Sequence, residues 1–138
     1  MTGARVLCVD DEPIIRMVVG EILSELGCTV VEAESGEHAL HTLEAEEFDI
    51  LITDIRMDGM NGWELAERAR ERSPALPVIY ISGYACEGRR MSNTLFLAKP
   101  FMPHQLRTAV DACIAQRWTG AHPAAAGSRP AAALDNLI

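Results

Sequence analysis

The sequence predicts an α/β fold, a doubly wound five-stranded parallel sheet covered by helices on both faces. Three observations carry this. Five short apolar segments, Val6–Val9, Cys28–Ala33, Ile50–Ile52, Pro77–Ile81 and Leu95–Ala98, alternate with longer stretches of helical periodicity. Most of these segments are continuously apolar rather than alternating, as strands buried on both faces require. Polar residues cluster where the segments end, at Asp10-Asp11-Glu12, Asp54, Ser82 and Lys99. In open α/β sheets, ligands bind outside those carboxyl ends.

The first strand stops at Asp10-Asp11-Glu12, and Pro13 suits the first turn of the helix that follows. Ile15, Val18, Val19, Ile22 and Leu26 share one face of that helix, Ile14 and Met17 lie toward a second, and Gly27 closes it. After the second strand, Ser35-Gly36 and Glu37 open a helix with Ala39, Leu40 and Leu43 inward and Glu44, Glu46 and Glu47 outward. The third strand runs into a loop of turn formers, Asp58-Gly59-Met60-Asn61-Gly62. A helix from Trp63 to Arg72 should face Leu65, Ala66 and Ala69 inward, with Glu64, Glu67, Arg68, Arg70, Glu71 and Arg72 outside; Ser73-Pro74 ends it. A short helix is expected over 85–92, and a last one from Pro103 to about Trp118 with Leu106, Val110, Cys113 and Ile114 in the core. Residues 1–118 form the predicted domain, and the Ala/Pro/Gly-rich 119–138 a flexible tail.

Composition narrows the function. A chain of 138 residues with 49% hydrophobic and 23% charged residues is globular, without a run long enough to span a membrane or a secretory signal. The net charge of -8 disfavours a nucleic-acid surface. Between Arg16 and Arg56 there is no basic residue at all. The four cysteines are scattered without a Cys-x-x-Cys pair, which suits reduced thiols and a cytoplasmic setting. His38 and His41 are read as a solvated helix face, because no third ligand accompanies them. Of the 12 basic residues only Lys99 is lysine, a compact ammonium where the chain otherwise uses the arginine fork.

If the strand ends converge, three carboxylates (Asp10, Asp11, Asp54) meet one ammonium (Lys99) and one hydroxyl (Ser82). Such acids repel, and an oxygen-seeking cation such as Mg²⁺ relieves them while keeping places for phosphate oxygens. Asp54 is then the nucleophile toward a phosphoryl group, with Lys99 neutralising its oxygens and Ser82 donating a hydrogen bond.

Over residues 4 to 117 the sequence resembles the receiver domain of two-component response regulators. The matching pieces are Val6-Leu7-Cys8-Val9-Asp10-Asp11-Glu12, Ile52-Thr53-Asp54-Ile55-Arg56-Met57, Gly62, Ile81-Ser82-Gly83-Tyr84 and Leu97-Ala98-Lys99-Pro100-Phe101. The resemblance implies a flavodoxin-like strand order, 2-1-3-4-5. It implies that Asp54 takes a phosphoryl group from a phosphohistidine on a sensor histidine kinase or histidine phosphotransferase. Asp11, Asp54 and the Arg56 carbonyl would hold Mg²⁺, with Asp10 helping through water. Ser82 and Phe96 would be the switch pair, and the Lys99-Pro100 bond would be cis. Ile14, Met17 and Phe101 would contribute to kinase docking, and a downstream protein would meet the face between the fourth and last helices.

The family usually has proline three or four residues after the phosphoacceptor, where Asp58 stands here. The large Arg56 and Tyr84, at positions that influence phosphate lifetime in receivers, are expected to slow self-dephosphorylation. The alternatives are a phosphate sink within a relay and a Mg²⁺-dependent phosphohydrolase with an aspartyl-phosphate intermediate. The second acid such hydrolases use two residues on is replaced by Arg56, so the chain is expected to catalyse only its own phosphorylation and dephosphorylation. No output domain follows, which suits a stand-alone receiver or one cut from a larger protein.

Overall fold

Five parallel strands make one sheet: β1 (Arg5–Val9), β2 (Thr29–Ala33), β3 (Ile50–Asp54), β4 (Val78–Ser82) and β5 (Thr94–Ala98), in the order β2-β1-β3-β4-β5. The computed structural model describes residues 3–83 and 93–120. Four helices occur among them: α1 (Pro13–Ser24), α2 (Gly36–Ala45), α3 (Gly62–Arg72) and α4 (Pro103–Gly120). The helix expected over 85–92, and Tyr84 before it, lie outside the described residues, as does the expected tail from 121 onward.

The central strands behave as their unbroken apolar character requires. β3 and β4 are buried at every position, whereas β2, at the edge, is mixed. Side chains alternate between two cores. Val6, Cys8, Ile50, Ile52, Ile79 and Ile81 face α1 and α4, while Leu7, Val9, Leu51, Val78 and Tyr80 face α2 and α3. Fully burying a side chain of this size stabilises by ~1.5–3 kcal/mol, so the sheet interior dominates stability.

Helix ends follow the sequence signals. Gly27 adopts φ +86, and paired bonds from Gly27 N–H to Ser24 O (3.0 Å) and Cys28 N–H to Leu23 O (3.1 Å) close α1. The Asn61 side chain accepts from Glu64 N–H at 2.9 Å, and the Glu64 carboxylate accepts from Asn61 N–H at 3.2 Å, so α3 begins one residue earlier than expected, at Gly62. In α1, Val19, Ile22 and Leu23 are buried, with Ile15 and Val18 partly so; the helix ends at Ser24, and Leu26, expected on it, packs on the same core from the turn that follows. Ile14 and Met17 stay 68% and 53% exposed, as their second-face position predicts.

Arg70 corrects the reading of α3. Expected outside, it is half-buried, with Nε donating to Leu76 O at 3.0 Å and Nη2 to Asn93 O at 2.9 Å. Helical period alone puts it outward, but the loops entering β4 and β5 rise over the end of α3 and cover it.

Cys8, Cys28 and Cys113 are buried. Burial pushes the Cys8 and Cys113 thiols up to about 12. We therefore expect both to resist a thiol reagent at mildly alkaline pH in the native protein and to react on unfolding in urea. The unfolded thiol ionises first, so stability present below the ordinary thiol value of 9.0 should decline as pH rises from there toward about 12. Prompt native labelling of either cysteine would contradict this.

Candidate functional site

The site arises from register. Val9 pairs with Ala33 and with Thr53, Asp54 with Ile81, and Ser82 with Ala98, so all five strands end along one edge. The next residue of β1 is Asp10 and the next of β5 is Lys99. Its N–H donates to Ser82 O at 2.8 Å, which ties β5 to the end of β4. The Lys99-Pro100 bond is cis, as the resemblance implied.

Lys99 Nζ lies 3.0 Å from Asp10 Oδ2, 3.1 Å from Glu12 Oε1 and 3.4 Å from Asp54 Oδ2. Residues 87 and 45 positions apart in the chain thus share one ammonium. Asp54 Oδ1 accepts from Ile55 N–H at 2.8 Å, which fixes the carboxylate plane. Asp10 Oδ1 accepts from Glu12 N–H at 2.9 Å. Burial raises the Asp10 carboxyl above its ordinary range against the pull of Glu12 N–H and Lys99. Burial likewise raises Asp54, opposed by Lys99 and Ile55 N–H and assisted by repulsion from Asp11. For Lys99, burial acts downward, but contact with Asp10, Glu12 and Asp54 outweighs it and the ammonium is held above its usual value.

The donor set fits a divalent cation. Asp10, Asp11 and Glu12 can each bring a carboxylate oxygen to within 4.8 Å of the others. One lysine does not compensate the desolvated acids, since both Asp10 and Asp54 remain raised despite it. Hard oxygen ligands with excess negative charge suit Mg²⁺.

Apart from Tyr84, outside the described residues, the remaining residues named from the sequence can be placed. Asp11 is exposed beside Asp10, and Arg56 is exposed in the loop two residues past Asp54. Ser82 is buried at the end of β4. Phe96 is partly buried and stacks on Tyr80, with centroids 5.3 Å apart and planes at 21°. Trp63 tilts against both, at 4.5 Å from Tyr80 and 5.8 Å from Phe96. His38 and His41 are exposed, as expected, and join no metal-binding group among the described residues.

Three participants escaped sequence reasoning. Glu12 touches Lys99, although it read only as the third member of an acidic run. Arg16 donates from Nη1 to the Asp10 carbonyl and from Nε to Glu32 Oε1 at 2.9 Å, bracing the acidic turn from α1. Its position one helical turn after Glu12 was the available signal. Trp63, read only as the first residue of its helix, joins an aromatic cluster with Tyr80 and Phe96.

A family profile described as response regulator receiver domain matches residues 6–111. The chain is 31% identical over 126 residues to the sensor protein GacS of Pseudomonas syringae pv. syringae, covering 84% of this chain and 13% of that protein. It is 34% identical over 118 residues to the transcriptional regulatory protein GlrR of Escherichia coli K12, covering 82% and 27%. The chain therefore spans only a small part of these curated relatives. Among solved structures, a response regulator receiver protein from Sinorhizobium medicae matches with a TM-score of 0.78 at 33% identity, over 83% of this chain and 97% of that one. TrrA from Thermotoga maritima, in complex with Mg(2+)-BeF, matches with a TM-score of 0.72 at 31% identity, over 80% and 98%.

Proposed function

The chain belongs to the response regulator receiver domain family, and from that premise we propose that it accepts a phosphoryl group on Asp54 from a phosphohistidine. The observation that carries this is the convergence of Asp10, Glu12 and Asp54 on Lys99 Nζ within 3.4 Å. In the step, an Asp54 carboxylate oxygen bonds to phosphorus while the phosphorus–nitrogen bond to the donor imidazole breaks and the imidazole leaves. Oδ1 is engaged by Ile55 N–H, which leaves Oδ2, the oxygen facing Lys99, to attack. Lys99 then shifts from carboxylate toward phosphoryl oxygen, a small displacement because it already bridges the pocket.

Asp11, Asp54 and the Arg56 carbonyl would hold Mg²⁺, with Asp10 acting through water, and the ion would supply positive charge to the phosphoryl oxygens. The solved complex of TrrA with Mg(2+)-BeF supports that assignment by likeness. Ser82 would donate to the phosphoryl group, and Phe96 would reorient behind it, leaving its stack on Tyr80.

The donor is a sensor histidine kinase or a histidine phosphotransferase, in keeping with the likeness to the sensor protein GacS. Exposed Ile14, Met17 and Met102, with half-buried Phe101, supply apolar docking area beside the pocket. The chain would catalyse only its own phosphorylation and dephosphorylation.

Two additions test the pocket. Mg²⁺ should raise the unfolding midpoint, by about 2.7 kcal/mol of stability at a hundredfold excess over its dissociation constant. Beryllofluoride should then shift Trp63 emission in a Trp118→Phe background, but only with Mg²⁺ present and not in Asp54→Asn. Indifference to both additions would defeat the proposal.

A further inference from the structure

The loop between β3 and α3, residues 55–61, carries the Arg56 carbonyl proposed for Mg²⁺, yet it contains no proline to stiffen it. Its near end is tied by Ile55 N–H to Asp54 Oδ1 and its far end by Gly62 N–H to Ile55 O, both at 2.8 Å. Its crown is held from outside, by α2. Glu37, in the first turn of α2, accepts from Met60 N–H at 3.2 Å through Oε2.

Two glycines make the approach possible. Gly59 sits at φ +76, and a Cβ there would lie 2.9 Å from Glu37 Oε2. A Cβ at Gly36 would lie 2.9 Å from Met60 Cβ and 3.1 Å from its Sδ. Backbone, carboxylate and thioether therefore interlock at a contact distance that side chains at 36 and 59 would prevent.

We propose that Glu37 is a positioning residue for the phosphorylation site: by holding Met60 N–H it fixes the β3–α3 loop, and so the Arg56 carbonyl, in a cation-ready conformation. This rests on the receiver reading above. Without the clasp the loop samples more conformations, and binding Mg²⁺ must bear the cost of ordering it. Glutamine at 37 retains an oxygen acceptor while removing the charge, which separates the hydrogen bond from the carboxylate's general attraction for a cation.

The test compares wild type, Glu37→Ala and Glu37→Gln by amide hydrogen exchange at Met60 in metal-free protein and by Mg²⁺ titration. The variants should keep the wild-type unfolding midpoint closely, because Glu37 is exposed. In Glu37→Ala, Met60 exchange should accelerate several-fold and the Mg²⁺ dissociation constant should rise several-fold. Glu37→Gln should stay within about twofold of wild type in both. Unchanged Met60 exchange in Glu37→Ala, or a Glu37→Gln that loses Mg²⁺ affinity as far as Glu37→Ala, would overturn the clasp while wild type still binds Mg²⁺. A wild type that binds no Mg²⁺ would instead bring down the receiver reading and the proposal with it, although Met60 exchange would still report whether the contact holds the loop.

Discussion

Asp54→Asn is expected to abolish phosphoryl incorporation from phosphohistidine or acetyl phosphate, and to leave the metal-free fold at least as stable as wild type. The amide is a near-isostere that keeps the bond from Ile55 N–H to Oδ1 but offers no anionic oxygen to attack phosphorus. Stability should not suffer, because the carboxylate is an uncomfortable occupant of this site. Burial raises it in spite of Lys99 and Ile55 N–H, and Asp11 repels it. Lys99 loses one of three partners and retains Asp10 at 3.0 Å and Glu12 at 3.1 Å.

The pH dependence has a definite sign. A carboxyl raised in the folded state binds its proton more tightly there than when unfolded. Its contribution to stability is therefore fully present below the ordinary aspartate value of 3.8 and is lost as pH rises through the raised folded value. Asp54→Asn should remove that part of the loss, making the metal-free variant gain on wild type above the carboxylate range. Urea unfolding with and without Mg²⁺ checks this, and Mg²⁺ should stabilise wild type more than the variant. A variant destabilised at neutral pH without Mg²⁺ would show that the Asp54–Lys99 pair is a structural requirement instead.

Gly62→Ala should be the most damaging single methyl among the described glycines. A Cβ at 62 would lie 2.2 Å from the Asp54 carbonyl oxygen and 3.0 Å from Ile55 Cα, both backbone atoms that no rotamer change can move. The same residue donates to Ile55 O at 2.8 Å, so relief requires α3 to lift from the end of β3 and that bond to stretch. Overpacking of this kind costs about 3 kcal/mol or more. Because the strain falls on Asp54 and Ile55, phosphorylation should decline even where the fold survives. Gly20→Ala is the matched control. Nothing lies within 4 Å of its Cβ position, and in α1 the change should stabilise by ~0.5–1 kcal/mol. Urea midpoints that place the two variants together would contradict the geometry.

The strand ends were readable in the sequence because buried parallel strands are short, apolar and sharply terminated. Asp10, Asp54, Ser82 and Lys99 each stand at or just after such an end, and register alone brings the ends into one row. What the sequence concealed are contacts made sideways between elements. Arg70 has an outward helical position, yet the carbonyls of Leu76 and Asn93 close over it. Trp63, Tyr80 and Phe96 come from α3, β4 and β5, and no periodicity links them. Glu37 reaches Met60 across 23 positions from a helix whose acidic residues otherwise looked like a solvated face. Periodicity reports which face is buried, and it is silent on what covers a helix end.

On the proposed function, the carboxylate facing Lys99 is the phosphoacceptor. Tandem mass spectrometry after incubation with Mg²⁺ and acetyl phosphate, and in parallel with a phosphorylated histidine kinase, tests it most directly. A single base-labile phosphoryl group is expected on the peptide carrying Asp54, absent from Asp54→Asn. Phosphate on another residue that persists in Asp54→Asn, or none on wild type with either donor, would contradict it.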